Sequence, residues 1–173
     1  MFRFLPIVIA GQSGPVEHIS LGYVRVMDPA RNEVPSHPLA VELGGQIQLL
    51  GYDFSSDHLT QDETLHLTLY WTAIRTPMTD YTVFTQLIGP DGLVWGQKDN
   101  QPQGGRYPTT AWALHDTVVD RYELALRENA PSGEYQLLIG MYDLSTGQRV
   151  IAIGEDGKHL ADDAVPLATM VVN

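Results

Sequence analysis

Leu65, Leu67, Leu69 and Trp71 alternate with His66, Thr68, Tyr70 and Thr72. A period of two, with an apolar and a polar phase, predicts a strand that buries one face. Val118, Tyr122, Leu124 and Leu126 alternate in the same way with Val119, Arg121, Glu123, Ala125 and Arg127. Residues 47–54, 81–88 and 135–142 are apolar in both phases, as expected of strands near the middle of a packed sheet. A shorter strand is predicted over 93–97 and a terminal one over 167–172. No segment sustains an apolar period of 3.6. At most a helical turn fits around 111–115 or 157–163.

The turns agree with this reading. Gly89-Pro90-Asp91-Gly92 separates two predicted strands: Pro presets φ and Gly accepts positive φ. Leu144-Ser145-Thr146-Gly147 is a second turn. Ala130-Pro131-Ser132-Gly133-Glu134-Tyr135 runs into the apolar stretch Gln136-Leu137-Leu138-Ile139-Gly140-Met141-Tyr142. A Tyr two residues past a turn Gly, at the head of a strand, has the form of a tyrosine corner. In that device the hydroxyl bonds upstream backbone and pins a crossing between sheets. The prediction is therefore an all-β, immunoglobulin-like antiparallel sandwich of two sheets and about 8–10 strands, with Gly133, Tyr135 and Trp71 as structural residues.

Residues 1–38 read differently. They hold Pro6, Pro15, Pro29, Pro35 and Pro38 and one predicted strand over 21–26. They are expected to be a strand-bearing extension or linker on a sandwich spanning 39–173. The apolar run 4–10 follows Arg3 but is interrupted by Pro6, so an extended segment is preferred to a secretory signal.

Composition narrows the function. Ten basic against 21 acidic residues give a net charge of −11. Phosphate-backbone binding needs a basic footprint, so this charge argues against nucleic acid, and equally against adsorption to anionic lipid. No window supplies the ~18 apolar residues of a membrane span, so no direct insertion by this chain is expected. The chain has no Cys, which removes disulfides, thiolate metal sites and Cys nucleophiles.

Motifs for catalysis are missing. Gly11-Gln12-Ser13-Gly14 lacks the spacing of a nucleophile elbow. The six His are dispersed, without H-E-x-x-H spacing, and Gly104-Gly105-Arg106 lacks the Lys of a phosphate loop. Asp53-Phe54-Ser55-Ser56-Asp57 reads as turn chemistry. No metal and no cofactor are expected. Asp120 falls on the apolar phase of its strand and must find donors there; loop backbone, Arg106 or a Trp N–H are the candidates. The stretch 98–112 reads as a long loop, and long loops are often functional. It brings Asp99, Asn100 and Arg106 together with Tyr107 and Trp112. Flat rings beside planar polar groups suit a sugar, which presents one C–H face and a rim of hydroxyls. The competing reading has Trp112 plugging the end of the sandwich.

In order along the chain, Gln46-Ile47-Gln48-Leu49-Leu50-Gly51-Tyr52-Asp53, Glu63-Thr64-Leu65-His66-Leu67-Thr68-Leu69-Tyr70-Trp71, Asp80-Tyr81-Thr82-Val83-Phe84, Pro90-Asp91-Gly92, Pro108-Thr109-Thr110-Ala111-Trp112, Val119-Asp120-Arg121-Tyr122, Pro131-Ser132-Gly133-Glu134-Tyr135 and Gly140-Met141-Tyr142-Asp143 form an array. The array, over about residues 39–173, resembles the C-terminal β-sandwich region of bacterial multi-pass membrane glycosyltransferases similar to polyprenyl-phosphate mannosyltransferases. The resemblance implies an extracytoplasmic, non-catalytic accessory module of cell-envelope glycan assembly. Its partner would be an oligosaccharide or a membrane-embedded domain. No catalytic residue carries over. The alternatives are a purely structural or protein-contact domain and a small glycan hydrolase.

Overall fold

A computed structural model describes residues 33–173. The strand predicted over 21–26, the apolar run 4–10 and most of the predicted extension lie outside the described residues. Ten strands are present among them: β1 (His37–Leu43), β2 (Ile47–Phe54), β3 (His58–Leu59), β4 (Thr64–Ala73), β5 (Tyr81–Ile88), β6 (Val94–Asn100), β7 (Val118–Ala125), β8 (Gly133–Asp143), β9 (Ala152–Ile153) and β10 (Val165–Val172). They form two five-stranded sheets, ordered β7-β4-β2-β1-β9 and β3-β10-β8-β5-β6. All pairings are antiparallel except β3 with β10. The protein is an all-β, immunoglobulin-like sandwich.

Period-two patterning supplies the core. Leu65, Leu67, Leu69 and Trp71 of β4 face inward beside Val118, Tyr122 and Leu124 of β7, with Leu65 opposite Leu124 and Trp71 opposite Val118. Val83 and Leu87 of β5 and Tyr135, Leu137, Ile139 and Met141 of β8 belong to the same core cluster. Burial of such side chains contributes about 1.5–3 kcal/mol each, which is why the apolar phase sets the inner face. Trp71 is fully buried, and its indole N–H has no hydrogen-bond partner among the described residues.

The stretch 130–135 forms a turn into β8. Tyr135 is buried, and its hydroxyl donates to Pro131 O at 2.8 Å. Gly133, at φ 145°, leads into it; a Cβ there would also lie 3.1 Å from Pro90 Cγ. Backbone strain and the neighbouring proline both demand glycine.

Several elements differ from the sequence reading, the two-residue strands β3 and β9 among them. β1 was not foreseen, because Pro38 interrupts its pattern and its pairing with β2 is bulged between Pro38 and Val41. It starts at His37, inside the stretch read as extension. The short strand expected over 93–97 is β6 and runs on to Asn100, since paired backbone on β5 continues that far. Hence 98–100 belong to a strand and the loop starts at Gln101. The helical turns are two 3-10 turns in that loop, Pro102–Gly105 and Thr109–Ala111, and a third at Ala161–Asp163.

The two sheets come together at one corner of the sandwich. β7 is an edge of the first sheet and β6 an edge of the second. Arg127 N–H donates to Trp95 O at 2.7 Å just beyond β7. Gly96 lies so near that a Cβ there would sit 3.0 Å from Ala125 O.

Candidate functional site

The residues predicted to form a sugar site do not converge. Asp99 and Asn100 are consecutive on β6, so they point to opposite faces. Asp99 turns to the outer face of its sheet, where Tyr142 Oη lies 3.3 Å from its Oδ2. Burial raises its carboxyl above the ordinary range, and the Tyr142 hydroxyl and Arg149 offset part of that. Arg149 sits 4.4 Å above the Phe84 ring beside it. Arg106 is exposed, and its Nε donates to Gln103 O at 3.0 Å.

Trp112 overturns the expectation of an exposed stacking ring. It is only 4% exposed and belongs to the core. Its Nε1–H donates to Tyr107 O at 3.0 Å, and the half-buried Tyr107 ring leans on it at 6.4 Å. An indole whose N–H is satisfied by a carbonyl gains most from full burial of its large apolar surface. Trp112 therefore offers no free face for a sugar and belongs to the core at the end of the sandwich, while Tyr107 stays half-buried against it.

Asp120 is 1% exposed, opposite Leu69 on the core face of β7. Loop backbone supplies one donor, Gln103 N–H to Oδ1 at 2.8 Å. The Tyr122 hydroxyl supplies the other, to Oδ2 at 2.6 Å. Neither Arg106 nor a Trp N–H takes part: Arg106 and Trp112 bond carbonyls within the loop, and Trp95 bonds Asp91. Burial pushes the Asp120 carboxyl up to about 6 against the pull of these bonds. Burial, and then the carboxylate itself, raise the Tyr122 hydroxyl. Gln103 sits at φ 54°, a left-handed conformation that costs a non-glycine residue about 1 kcal/mol or more. Its bonds to Asp120 and, through Nε2, to Val119 O hold it there. Asp120 thus fastens the 101–117 loop to β7.

The site present lies at the corner where β6 passes β7. A groove of about 340 Å³ is lined by His66 and Thr68 from β4, Arg121 and Glu123 from β7, and Lys98 and Asn100 from β6. Leu67 and Tyr122 complete its lining. The β4 and β7 residues are the polar phase of their strands, and register sets His66 opposite Glu123 and Thr68 opposite Arg121. His66 Nδ1 lies 3.8 Å from Glu123 Oε1. Arg121 Nη2 donates to Glu33 Oε2 at 2.7 Å. The groove therefore offers cationic and amide donors, hydroxyl and carboxylate acceptors, and a backbone fixed by sheet hydrogen bonds. Of its lining residues Glu123 is the single carboxylate. Among the described residues, no three His, Cys, Asp or Glu side chains gather to hold a metal ion. Of the predicted residues only Asn100 belongs to this site. The polar phases of β4 and β7 were legible in the sequence; the approach of β6 from the other sheet was not.

No protein-family model matches the sequence, and no curated protein matches it. Among solved structures, the chain is similar to the C-terminal domain of Wzt, at 13% identity over 86% of this chain and 89% of that one, with a TM-score of 0.49. It is also similar to the CARDB domain of a Pyrococcus furiosus protein determined with two metal ions, at 8% identity over 77% of this chain and 94% of that one, with a TM-score of 0.42.

Proposed function

We propose that this chain is a non-catalytic recognition module that binds an oligosaccharide in the groove between β6 and β7. The observation that carries the reading is the groove itself: donors and acceptors matched to hydroxyl groups, mounted on strands rather than on a loop. Side chains held by sheet backbone lose less freedom on binding than those on a mobile loop. A shallow site buries little area, so affinity is expected in the millimolar to tens-of-micromolar range, about −4 to −6 kcal/mol.

Binding rather than turnover follows from where the carboxylates lie. Glycoside hydrolysis takes a pair of carboxyl groups across the scissile bond, and the groove supplies Glu123 alone. The most perturbed carboxyl, Asp120, is sealed in the core with both oxygens bonded. A general acid must reach its substrate. On this reading the module serves an envelope glycosyltransferase-like protein outside the cytoplasmic membrane, beside a membrane-embedded partner.

A second reading, contact with a partner domain, rests on the end of the sandwich around the β1–β2 turn. Met78, Leu114 and Ile151 are exposed there. Each is tied to that end by backbone: Met78 N–H donates to Gln46 Oε1, Leu114 bridges Ala73, and Ile151 O accepts from Gly44 N–H.

The test is NMR titration with envelope oligosaccharides. Amide shifts confined to 66–68, 98–100 and 121–123 are expected. Shifts confined to the loops carrying Met78 and Leu114 would move the interaction to that end. Saturating sugar with no shift anywhere would sink the recognition reading.

A further inference from the structure

The charges in the groove are unevenly compensated. The chain has 21 acidic and 10 basic residues, and only two of the basic ones are lysines. Lys158 donates to Asp156 Oδ2 at 2.6 Å. Lys98 makes no ion pair or side-chain hydrogen bond among the described residues, despite the excess of carboxylates. Strand alternation turns its neighbour Asp99 to the opposite face, where Tyr142 approaches it. Arg121 is held by Glu33, while Glu123 faces His66 at 3.8 Å, an ion pair only when that imidazole is protonated. Lys98 is thus an unpaired ammonium on the same face as Asn100, whose side-chain amide is also unpartnered among the described residues. At 0.1 M ionic strength exposed charges farther than ~10 Å are screened. The net −11 of the chain therefore does not cancel this local field.

We infer that the groove takes an acidic glycan, whose sugar carboxylate seats on Lys98 with Asn100 and Arg121 donating beside it. This inference rests on the glycan-binding reading and adds the charge of the ligand. A lysine on an edge strand also has an ordinary use, to block pairing with a second edge, and the experiment separates the two roles.

The probes are uronic-acid oligosaccharides, oligogalacturonate among them, each paired with its methyl ester. The pair shares a backbone and differs in charge. The acid form is expected to bind about fivefold tighter than the ester at 0.1 M salt, the size of an exposed ion pair. Raising the salt to about 0.5 M should shrink the difference. Lys98→Gln should abolish it, with the urea midpoint unchanged. Equal binding of acid and ester by the wild type, with shifts in the groove, would overturn the acidic ligand and leave the glycan reading standing. Failure of every probe to shift the groove amides would remove both. A Lys98→Gln protein that self-associates yet keeps the acid preference would make Lys98 an edge guard and overturn the inference.

Discussion

Asp120 shows how one carboxyl can stabilise a loop and still oppose folding. Its folded pKa, about 6, lies above the ordinary 3.8 because burial outweighs the bonds from Tyr122 and Gln103. A carboxyl raised on folding contributes full stability below its unfolded pKa and loses it as pH rises through the folded value. The wild type should therefore lose about 3 kcal/mol between about pH 4 and pH 7 from this group, at about 1.4 kcal/mol per pKa unit. Asp120→Asn keeps an acceptor for Gln103 N–H and has no charge to bury, so its urea midpoint should change far less over that range. Tyr135 gives a second test. Its hydroxyl is the donor that Pro131 O receives inside the turn. Tyr135→Phe removes that donor and should cost about 1–3 kcal/mol. An unchanged midpoint in urea would mean that the corner bond does not hold the turn.

The 101–117 loop behaves as part of the core rather than as a free binding loop. Its two 3-10 turns, the Asp120 bonds and the buried indole of Trp112 fix it at several points along its length. Trp112→Ala should cost about 3–5 kcal/mol, the range for a large aromatic removed from a core. For a domain of about 5–15 kcal/mol total stability that loss is large, and thermal melts will report it directly. If Trp112 were instead a sugar platform, the variant would melt as the wild type does and lose ligand affinity. The same contrast explains what the sequence of this loop conceals. Tyr107 and Trp112 are the residue types of a stacking site and equally those of a plug. The choice is made by the carbonyl at Tyr107, which is positioned only once the loop is folded.

Across the protein, two sets of carboxyls act in opposite directions on stability. Asp120 and Asp99 are raised, chiefly by burial. For Asp53 and Asp163, burial pushes upward but is outweighed, by Tyr70 and Ser36 at Asp53 and by His159 and the Ala152 N–H at Asp163; both are lowered. Hydrogen bonds from Trp95, Ser145 and Lys158 lower Asp91, Asp143 and Asp156. Lowered groups stabilise above their ordinary pKa and lose that contribution as pH falls through the folded value; raised groups do the reverse. The lowered groups therefore make stability rise with pH through the acid range, while Asp120 withdraws its contribution as pH rises toward about 6. The net charge vanishes near the pI of about 4.7, so solubility is lowest there. Chemical denaturation across the acid-to-neutral range should show wild-type stability falling relative to Asp120→Asn as pH rises from about 4 to 7, while light scattering peaks near the pI. A wild type and an Asp120→Asn variant with parallel pH profiles would contradict the assignment of Asp120.

What could be read along the chain was whatever depends on local periodicity and turn chemistry. The strands around Leu65–Trp71 and Val118–Leu124, the Pro90 hairpin and the Tyr135 turn all rest on near neighbours in sequence, so alternation and glycine placement suffice to find them. β1 escaped because Pro38 and a bulge break its alternation; its pairing depends on Gly51 of β2, where a Cβ would lie 2.5 Å from His37 O. The partners of Asp120, the burial of Trp112 and the groove escaped for another reason. Each needs a loop or a second strand brought up to the first, as Gln103 N–H is to Asp120 and the Tyr107 carbonyl to Trp112, and alternation does not set that approach. His66 and Glu123 are adjacent only through the β4–β7 register, and Lys98 meets them only because two sheet edges close on one corner. Pattern along a strand fixes which face a residue occupies. Which residues of other strands share that face is set by the packing of one sheet upon the other.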